Sequence, residues 1–239
     1  MRRFFKILKV LFVSTLIVFL YAFSAQRNIK KTIKKVDVII LNDAHLFLSY
    51  ETVNKMLKQK LETLKTQPKE VLFLNDLEAV LQTNALVENA EVYIDIKGNL
   101  GVIITQKTPV ARQITSNGTF YIDSQGGKMP LSKNYSASVP LVLGVSAKED
   151  LKSVYKLAML IRTDAFLKKQ IIGVNKNKNN EFELSTRVGK AVVLVGNLDN
   201  MQHKLNNLKA YYINAIQNKS VNRYKKINLK YSNQVVCTK

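Results

Sequence analysis

Residues 10–26, VLFVSTLIVFLYAFSAQ, run without a charged side chain and follow Arg2, Arg3, Lys6 and Lys9. A helix through this run covers about 25 Å at about 1.5 Å per residue, slightly short of a hydrocarbon core of about 30 Å, and the stems of Lys6 and Lys9 can extend it by snorkelling. Two readings fit. One is a retained transmembrane anchor (10–26) behind a short head (1–9), which we favour; the other is a cleaved signal peptide. Cleavage after Ser24 would use the small pair Ala22 and Ser24, whereas cleavage after Ala25 would place bulky Phe23 three positions back. Arg27, Lys30, Lys31, Lys34 and Lys35 make residues 27–35 a basic linker, so both flanks of the apolar run are basic and charge leaves its orientation open.

Beyond the linker the pattern changes to short periodic segments. Residues 36–41 (VDVIIL) are apolar and β-branched and predict a strand. Ser49 can cap a helix in which Val53, Met56, Leu57, Leu61 and Leu64 share a face, and Pro68 ends it by position. A second helix follows, with Asn75 or Asp76 as cap and Leu77, Val80 and Leu81 at helical spacing. Then comes NAEVYIDIKGNLGVIITQKTPVAR (89–112), which reads as a hairpin. Ala90, Val92, Ile94 and Ile96 point one way, Lys97-Gly98-Asn99 turns the chain, and Leu100, Val102 and Ile104 line the returning face. The order strand, helix, helix, strand, strand over 36–109 predicts a three-stranded sheet with two helices on one face.

Pro109 marks a junction, and residues 110–239 predict a second, α+β region with a mostly antiparallel sheet. Strands are expected at 119–122, 139–143, 171–174, 181–187, 191–195, 226–231 and 234–237, and helices at 147–162 and 198–216. The second of those helices carries Met201, Leu205, Leu208, Tyr212 and Ala215 or Ile216 on one face. The last strands can lie at a sheet edge, where unpaired backbone groups accept another chain's strand.

Charge refines this picture. The chain has 37 Lys and Arg against 17 Asp and Glu, a formal net charge of +20. Residues 1–35 hold nine basic and no acidic side chains, residues 36–109 seven basic and ten acidic, and residues 110–239 the remaining 21 basic and seven acidic. Lysines dispersed among asparagines solvate a surface, and no zinc-finger spacing, aromatic RNA-binding motif or glycine-rich phosphate loop accompanies them, so no nucleic-acid partner is expected. Tyr211, Tyr212, Tyr224 and Tyr231 do sit near lysines, but helix-core and edge-strand roles account for them without base stacking. Cys237, the single cysteine, permits no intramolecular disulfide and no multi-cysteine metal site.

The residues offer no catalytic constellation. Nucleophilic catalysis needs a base beside the nucleophile, and His45 and His203 are the only histidines, with no Gly-x-Ser-x-Gly elbow. Gly189-Lys190 lacks the earlier glycine and the following hydroxyl of a phosphate loop. Glu181 and Glu183 alternate with Phe182 and Leu184 as strand residues, and His203 lies on the polar side of a helix without ligand partners. No enzymatic activity, metal or cofactor is expected.

Four stretches carry a resemblance: VENAEVYIDIKGNLGVIITQKTPVAR (87–112), FYIDSQGGKMPLS (120–132), VPLVLG (139–144) and INLKYSNQVV (227–236). Together with the basic anchor, they make the chain similar to the bacterial division family FtsQ, called DivIB in Gram-positive cells, and particularly to the short forms of Bacteroidota. The hairpin alone resembles any polypeptide-transport-associated (POTRA) module; the Tyr-Ile-Asp, Gly, Met-Pro-Leu and Val-Pro-Leu sequence resembles the second FtsQ domain more specifically. Where the family's last strand often reads Asp-Leu-Arg-Tyr, this chain has Asn228-Leu229-Lys230-Tyr231, without the acid and the forked guanidinium.

The resemblance implies a single-pass type II inner-membrane protein at the division septum, with a POTRA domain (36–109) and an FtsQ-type β domain (110–239) in the periplasm. It implies a scaffold that binds FtsB- and FtsL-like divisome proteins, with other septal proteins meeting the POTRA domain. Matched by motif, the interface is expected at Leu229, Lys230, Tyr231, Ser232 and Asn233, with Gln234, Val235 and Val236 as the adjoining edge. A POTRA-containing outer-membrane assembly or secretion factor is the alternative; such proteins normally carry several modules or a long barrel, for which the residues after 112 are few.

Overall fold

The computed structural model describes residues 2–29, 35–41, 46–64, 72–145, 147–231 and 234–239. It opens with a long helix, α1 (Arg2–Ile29). Its side chains are described at Lys9 and over 11–24, and all of these are exposed. Thr15 satisfies its hydroxyl within the helix by donating to the Leu11 carbonyl at 2.7 Å. Among the described residues no helix is long and apolar enough to cross a membrane. Most of the basic linker at 27–35 lies outside the described residues.

The chain divides into two compact units, residues 1–44 with 48–106, and residues 45–47 with 107–239. In the first, β1 (Val36–Leu41), α2 (Tyr50–Leu64), α3 (Leu72–Gln82), β2 (Val87–Ile94) and β3 (Leu100–Gln106) form a sheet of order β1-β3-β2 with two helices. β1 runs parallel to β3, and β2 antiparallel. The register aligns Ile40, Ile104 and Ala90 in one row. These are buried, as are Val53 and Leu57 of α2 and Leu77 and Leu81 of α3, so one apolar stripe from every element meets in a single core.

Local chemistry sets the boundaries. The Ser49 hydroxyl accepts from the Thr52 amide at 3.2 Å and caps α2. The second helix starts at Leu72, a turn before the expected caps: Asn75 and Asp76 are exposed helix residues, and Asp76 lies 3.8 Å from Lys60 across the α2–α3 pair. The hairpin turn also differs from expectation. The Asp95 carboxylate accepts from the Asn99 amide at 2.7 Å and from its side chain at 2.9 Å, while Gly98 takes φ +87°. Three residues, 96–98, therefore make the loop, with glycine at the left-handed position. Ile96 stands at the tip, 98 % exposed, and Ile94 is 46 % exposed, so neither joins the core face. Strand alternation ends where the turn begins. Hydrogen bonds from Asn99 hold the Asp95 carboxyl below its ordinary range.

On the opposite face Tyr93 lies over Gly101: a Cβ at Gly101 would sit 2.3 Å from the ring. The glycine is a seat for the tyrosine, which covers backbone that would otherwise be bare.

The second unit is built on a nine-stranded sheet of order β12-β11-β10-β9-β8-β7-β4-β5-β6. Its strands are β4 (Pro109–Thr115), β5 (Gly118–Asp123), β6 (Lys128–Met129), β7 (Leu141–Leu143), β8 (Ile171–Lys176), β9 (Phe182–Thr186), β10 (Val192–Gly196), β11 (Lys226–Asn228) and β12 (Val236–Thr238). Its helices are α4 (Lys148–Thr163), α5 (Ala165–Gln170) and α6 (Met201–Gln217). Five of the eight pairings are antiparallel; β4–β7, β7–β8 and β10–β11 are parallel. Two of the parallel pairs are bridged by helices, α4 and α5 between β7 and β8 and α6 between β10 and β11, as parallel neighbours require. The helices close over a core that includes Val142, Leu157, Leu184, Val193, Leu208 and Tyr212.

The strand β4, not foreseen in the sequence, explains two polar residues. Arg112 donates from its guanidinium to the Tyr121 hydroxyl and to Ser136, and its amide bonds the Pro140 carbonyl at 2.9 Å. The Tyr121 hydroxyl also accepts from the Ala137 amide at 2.9 Å. These bonds hold the long 130–140 segment against the sheet and deliver β7 between β4 and β8. At the other end of α4, Asp164 caps α5 through the amides of Phe166 (2.8 Å) and Leu167 (3.0 Å) and binds Lys209 of α6 at 2.6 Å. The lysine, ahead of the amides, holds the Asp164 carboxyl below its ordinary range.

Candidate partner-binding edge

β11 and β12 end the large sheet. β11 lies parallel to β10 through the pairs Val192↔Lys226, Val193↔Ile227 and Leu194↔Asn228. β12 returns antiparallel, with Ile227↔Cys237 and Asn228↔Val236, and has no neighbour on its outer side among the described residues. A bare edge of this kind offers a row of backbone donors and acceptors to another chain.

The structure separates the predicted interface residues into two groups. Leu229 presents almost no side-chain surface: it is 2 % exposed, belongs to the main core, and its amide donates to the Leu194 carbonyl at 2.8 Å. Parallel pairing with β10 continues one residue past β11 and turns that side chain inward. Val235 is half-buried and packs on the same core. Lys230, Tyr231, Gln234 and Val236 face outward, Tyr231 at 51 % and Val236 at 38 % exposure. Ser232 and Asn233 lie outside the described residues.

Lys230 is already engaged. Its ammonium lies 2.8 Å from Glu181, just before β9, and its amide donates to the Asn228 side chain at 3.0 Å. The hydrogen bond to Glu181 raises the ammonium's pKa above its ordinary value. Its stem crosses Gly196, where φ is +74° and a Cβ would come within 2.8 Å of the lysine. The sequence marked Glu181 as an ordinary strand carboxylate and passed over Gly196; only the pairing of β9, β10 and β11 brings both to Lys230.

Leu229, Lys230 and Tyr231 also border a polar hollow of about 760 Å³ at the start of α6, facing Asn197, Asp199 and His203. Lys204 closes its floor, donating to the carbonyls of Val195 (3.0 Å) and Asn197 (2.8 Å), and burial pushes its ammonium pKa down. His203 is exposed and shares a contact of 3.3 Å with Asn207, the surface position expected for it. No cluster of His, Cys, Asp or Glu among the described residues could hold a metal ion.

Behind the edge, Tyr211 of α6 and Cys237 of β12 meet. The Tyr211 hydroxyl is buried without a hydrogen bond of regular geometry, and the thiol beside it is at best a weak partner. Burial first, and Cys237 second, push the Tyr211 pKa to about 12; burial also raises the Cys237 thiol. In an unfolded chain the phenol ionises near about 10. The fold therefore favours the neutral phenol, and this contribution is complete below about pH 10 and is lost as pH rises through about 12. In an alkaline titration followed by tyrosinate absorbance, Tyr211 should ionise late, as should Tyr212, whose phenol burial also pushes up, and Tyr211→Phe should shrink the late phase by one tyrosine and flatten the fall in stability over the same interval. A titration unchanged in Tyr211→Phe would refute the assignment.

Residues 108–238 match the family model described as FtsQ/DivIB, C-terminal related. The match takes in β4 to β12 and ends on the edge strand. No curated protein matches the chain.

Proposed function

The chain belongs to the FtsQ/DivIB, C-terminal related family, and from that premise we propose that it serves cell division as a membrane-anchored, non-enzymatic scaffold. The observation that carries this reading is the family match itself, which runs through the bare β12 edge. In this reading the apolar run 10–26, too short by itself for a full hydrocarbon core, is held in the inner membrane with the stems of Lys6 and Lys9 extending it, and both folded units stand in the periplasm at the septum. The first unit is a POTRA domain, supported by its element order and its β1-β3-β2 sheet.

The partner is an FtsB- or FtsL-like protein whose segment adds to β12. Backbone bonds extend the sheet, while Tyr231 and Val236 supply apolar area and Lys230 supplies charge. Leu229 serves the same edge from behind by fixing the chain to β10. Because Glu181 neutralises Lys230, an acidic partner must displace one carboxylate with another, so the lysine contributes more to steering than to affinity.

The test is a fluorescent fusion at the N-terminal head, followed while the native copy is depleted. Midcell signal and restored division are expected for the wild type. Tyr231→Ala should weaken co-purification of the FtsB/FtsL-like partner by about 2 kcal/mol, roughly thirtyfold. Uniform envelope signal with normal division after depletion would sink the division reading and return the assembly-factor alternative. Undiminished partner capture by Tyr231→Ala would sink only the anchor role of the tyrosine.

A further inference from the structure

The far end of the large sheet carries a second opening, remote in strand order from β12. Between the β5–β6 hairpin and α4 runs a groove of about 740 Å³, within the range of ligand sites, and its walls are the apolar faces of Phe120, Ile122, Leu151 and Tyr155.

Gln113 lines this groove and is 2 % exposed. Its Nε2 donates to the Val145 carbonyl at 2.6 Å, but its Oε1 is buried with no hydrogen-bond partner. An orphaned buried acceptor costs about 1–3 kcal/mol, and a donor arriving there would recover that cost. The Tyr155 hydroxyl is already satisfied, since it donates to the Ser124 carbonyl at 2.9 Å.

The rim is mainly positive. Lys128, Lys152 and Lys156 border the groove against the single Glu149. All three lysines are exposed, and none forms an ion pair among the described residues. Lys128 lies 4.2 Å from the centre of the Phe120 ring, so the rim and the aromatic wall act on the same guest.

We propose that this groove binds an acidic peptide segment of a partner protein through an inserted tryptophan. The indole supplies both requirements of the interior, a flat apolar body for Phe120, Leu151 and Tyr155 and an N–H for Gln113. Flanking Asp or Glu residues meet the three lysines. A lipid would satisfy the walls and the rim, but an acyl tail brings no donor to the Gln113 oxygen. The site is separate from the β12 edge and independent of what binds there.

The chain contains no tryptophan, so indole emission from a mixture reports the peptide alone. The probe is the blocked pentapeptide Glu-Asp-Trp-Glu-Asp, titrated with the full chain in dodecyl maltoside, with micelles alone as the blank. A saturable blue shift is expected with the protein. The exposed double variant Lys152→Glu with Lys156→Glu should weaken binding about tenfold or more, and Gln113→Leu should abolish the preference for this peptide over its Phe counterpart. The proposal is overturned by the absence of a blue shift, by equal binding of Lys-Lys-Trp-Lys-Lys, or by unchanged binding in the rim variant. It is overturned equally if anionic vesicles displace the peptide while the rim variant retains it, which would make the surface a lipid site.

Discussion

Replacing Asp123 with alanine is expected to lower the unfolding free energy of the second unit by about 3 kcal/mol. Asp123 is 2 % exposed and ends β5. Its Oδ1 accepts from the amides of Gln125 (3.0 Å) and Gly127 (2.7 Å), and its Oδ2 lies 3.2 Å from the Lys107 ammonium. Alanine strands both amides and leaves the lysine, itself three-quarters buried, without a counter-charge. Neighbouring residues offer no substitute. Gly127 lies so close that a Cβ there would be 2.8 Å from the carboxylate, and Gly126 takes φ +80° to close the turn. Asp123→Asn keeps an acceptor for the amides and loses only the ion pair, so about 1 kcal/mol is expected. Urea unfolding of both variants checks the ranking; equal midpoints for Asp123→Ala and the wild type would show that the turn does not depend on its carboxylate.

The Tyr-Ile-Asp-x-x-Gly-Gly stretch stood out, and its reason is local: a carboxylate, two glycines and a tight turn. Stripes such as Val53 and Leu57, or Leu205, Leu208 and Tyr212, were legible because helical spacing alone determines which side chains share a face. The burial of Leu229 is not legible, for the opposite reason. Its inward turn follows from an amide bond to Leu194, a residue far away in sequence, which no local pattern contains. Ile96 failed at a boundary, where alternation continues in the letters after the strand has stopped. No strand is expected between the junction at Pro109 and residue 119, yet Arg112 and Gln113 are strand residues whose polar groups serve the 130–145 segment. The polar hollow and the apolar groove were equally invisible, because each is bounded by elements that meet only through a parallel crossover.

Gly144→Ala should be as damaging as the loss of Asp123, at about 3 kcal/mol, by a different route. Gly144 follows β7 with φ +71°, a left-handed conformation that a Cβ disfavours. Space is the larger obstacle: a Cβ would sit 2.2 Å from the Lys176 carbonyl oxygen and 3.2 Å from its carbon, atoms of backbone that cannot rotate aside. Relief requires β7 and β8 to separate where Leu143 pairs with Asn175. β7 is three residues long, and among the described residues it alone joins β4, β5 and β6 to the rest of the sheet. Its pairing with β8 therefore carries the continuity of the sheet, and a shift there reaches both the groove on one side and the partner edge on the other. Hydrogen exchange should show lost protection at 141–143 and 173–175 before any loss in the first unit. Protection equal to that of the wild type, with an unchanged urea midpoint, would mean that the sheet tolerates the side chain and that its two halves are coupled by something other than this strand.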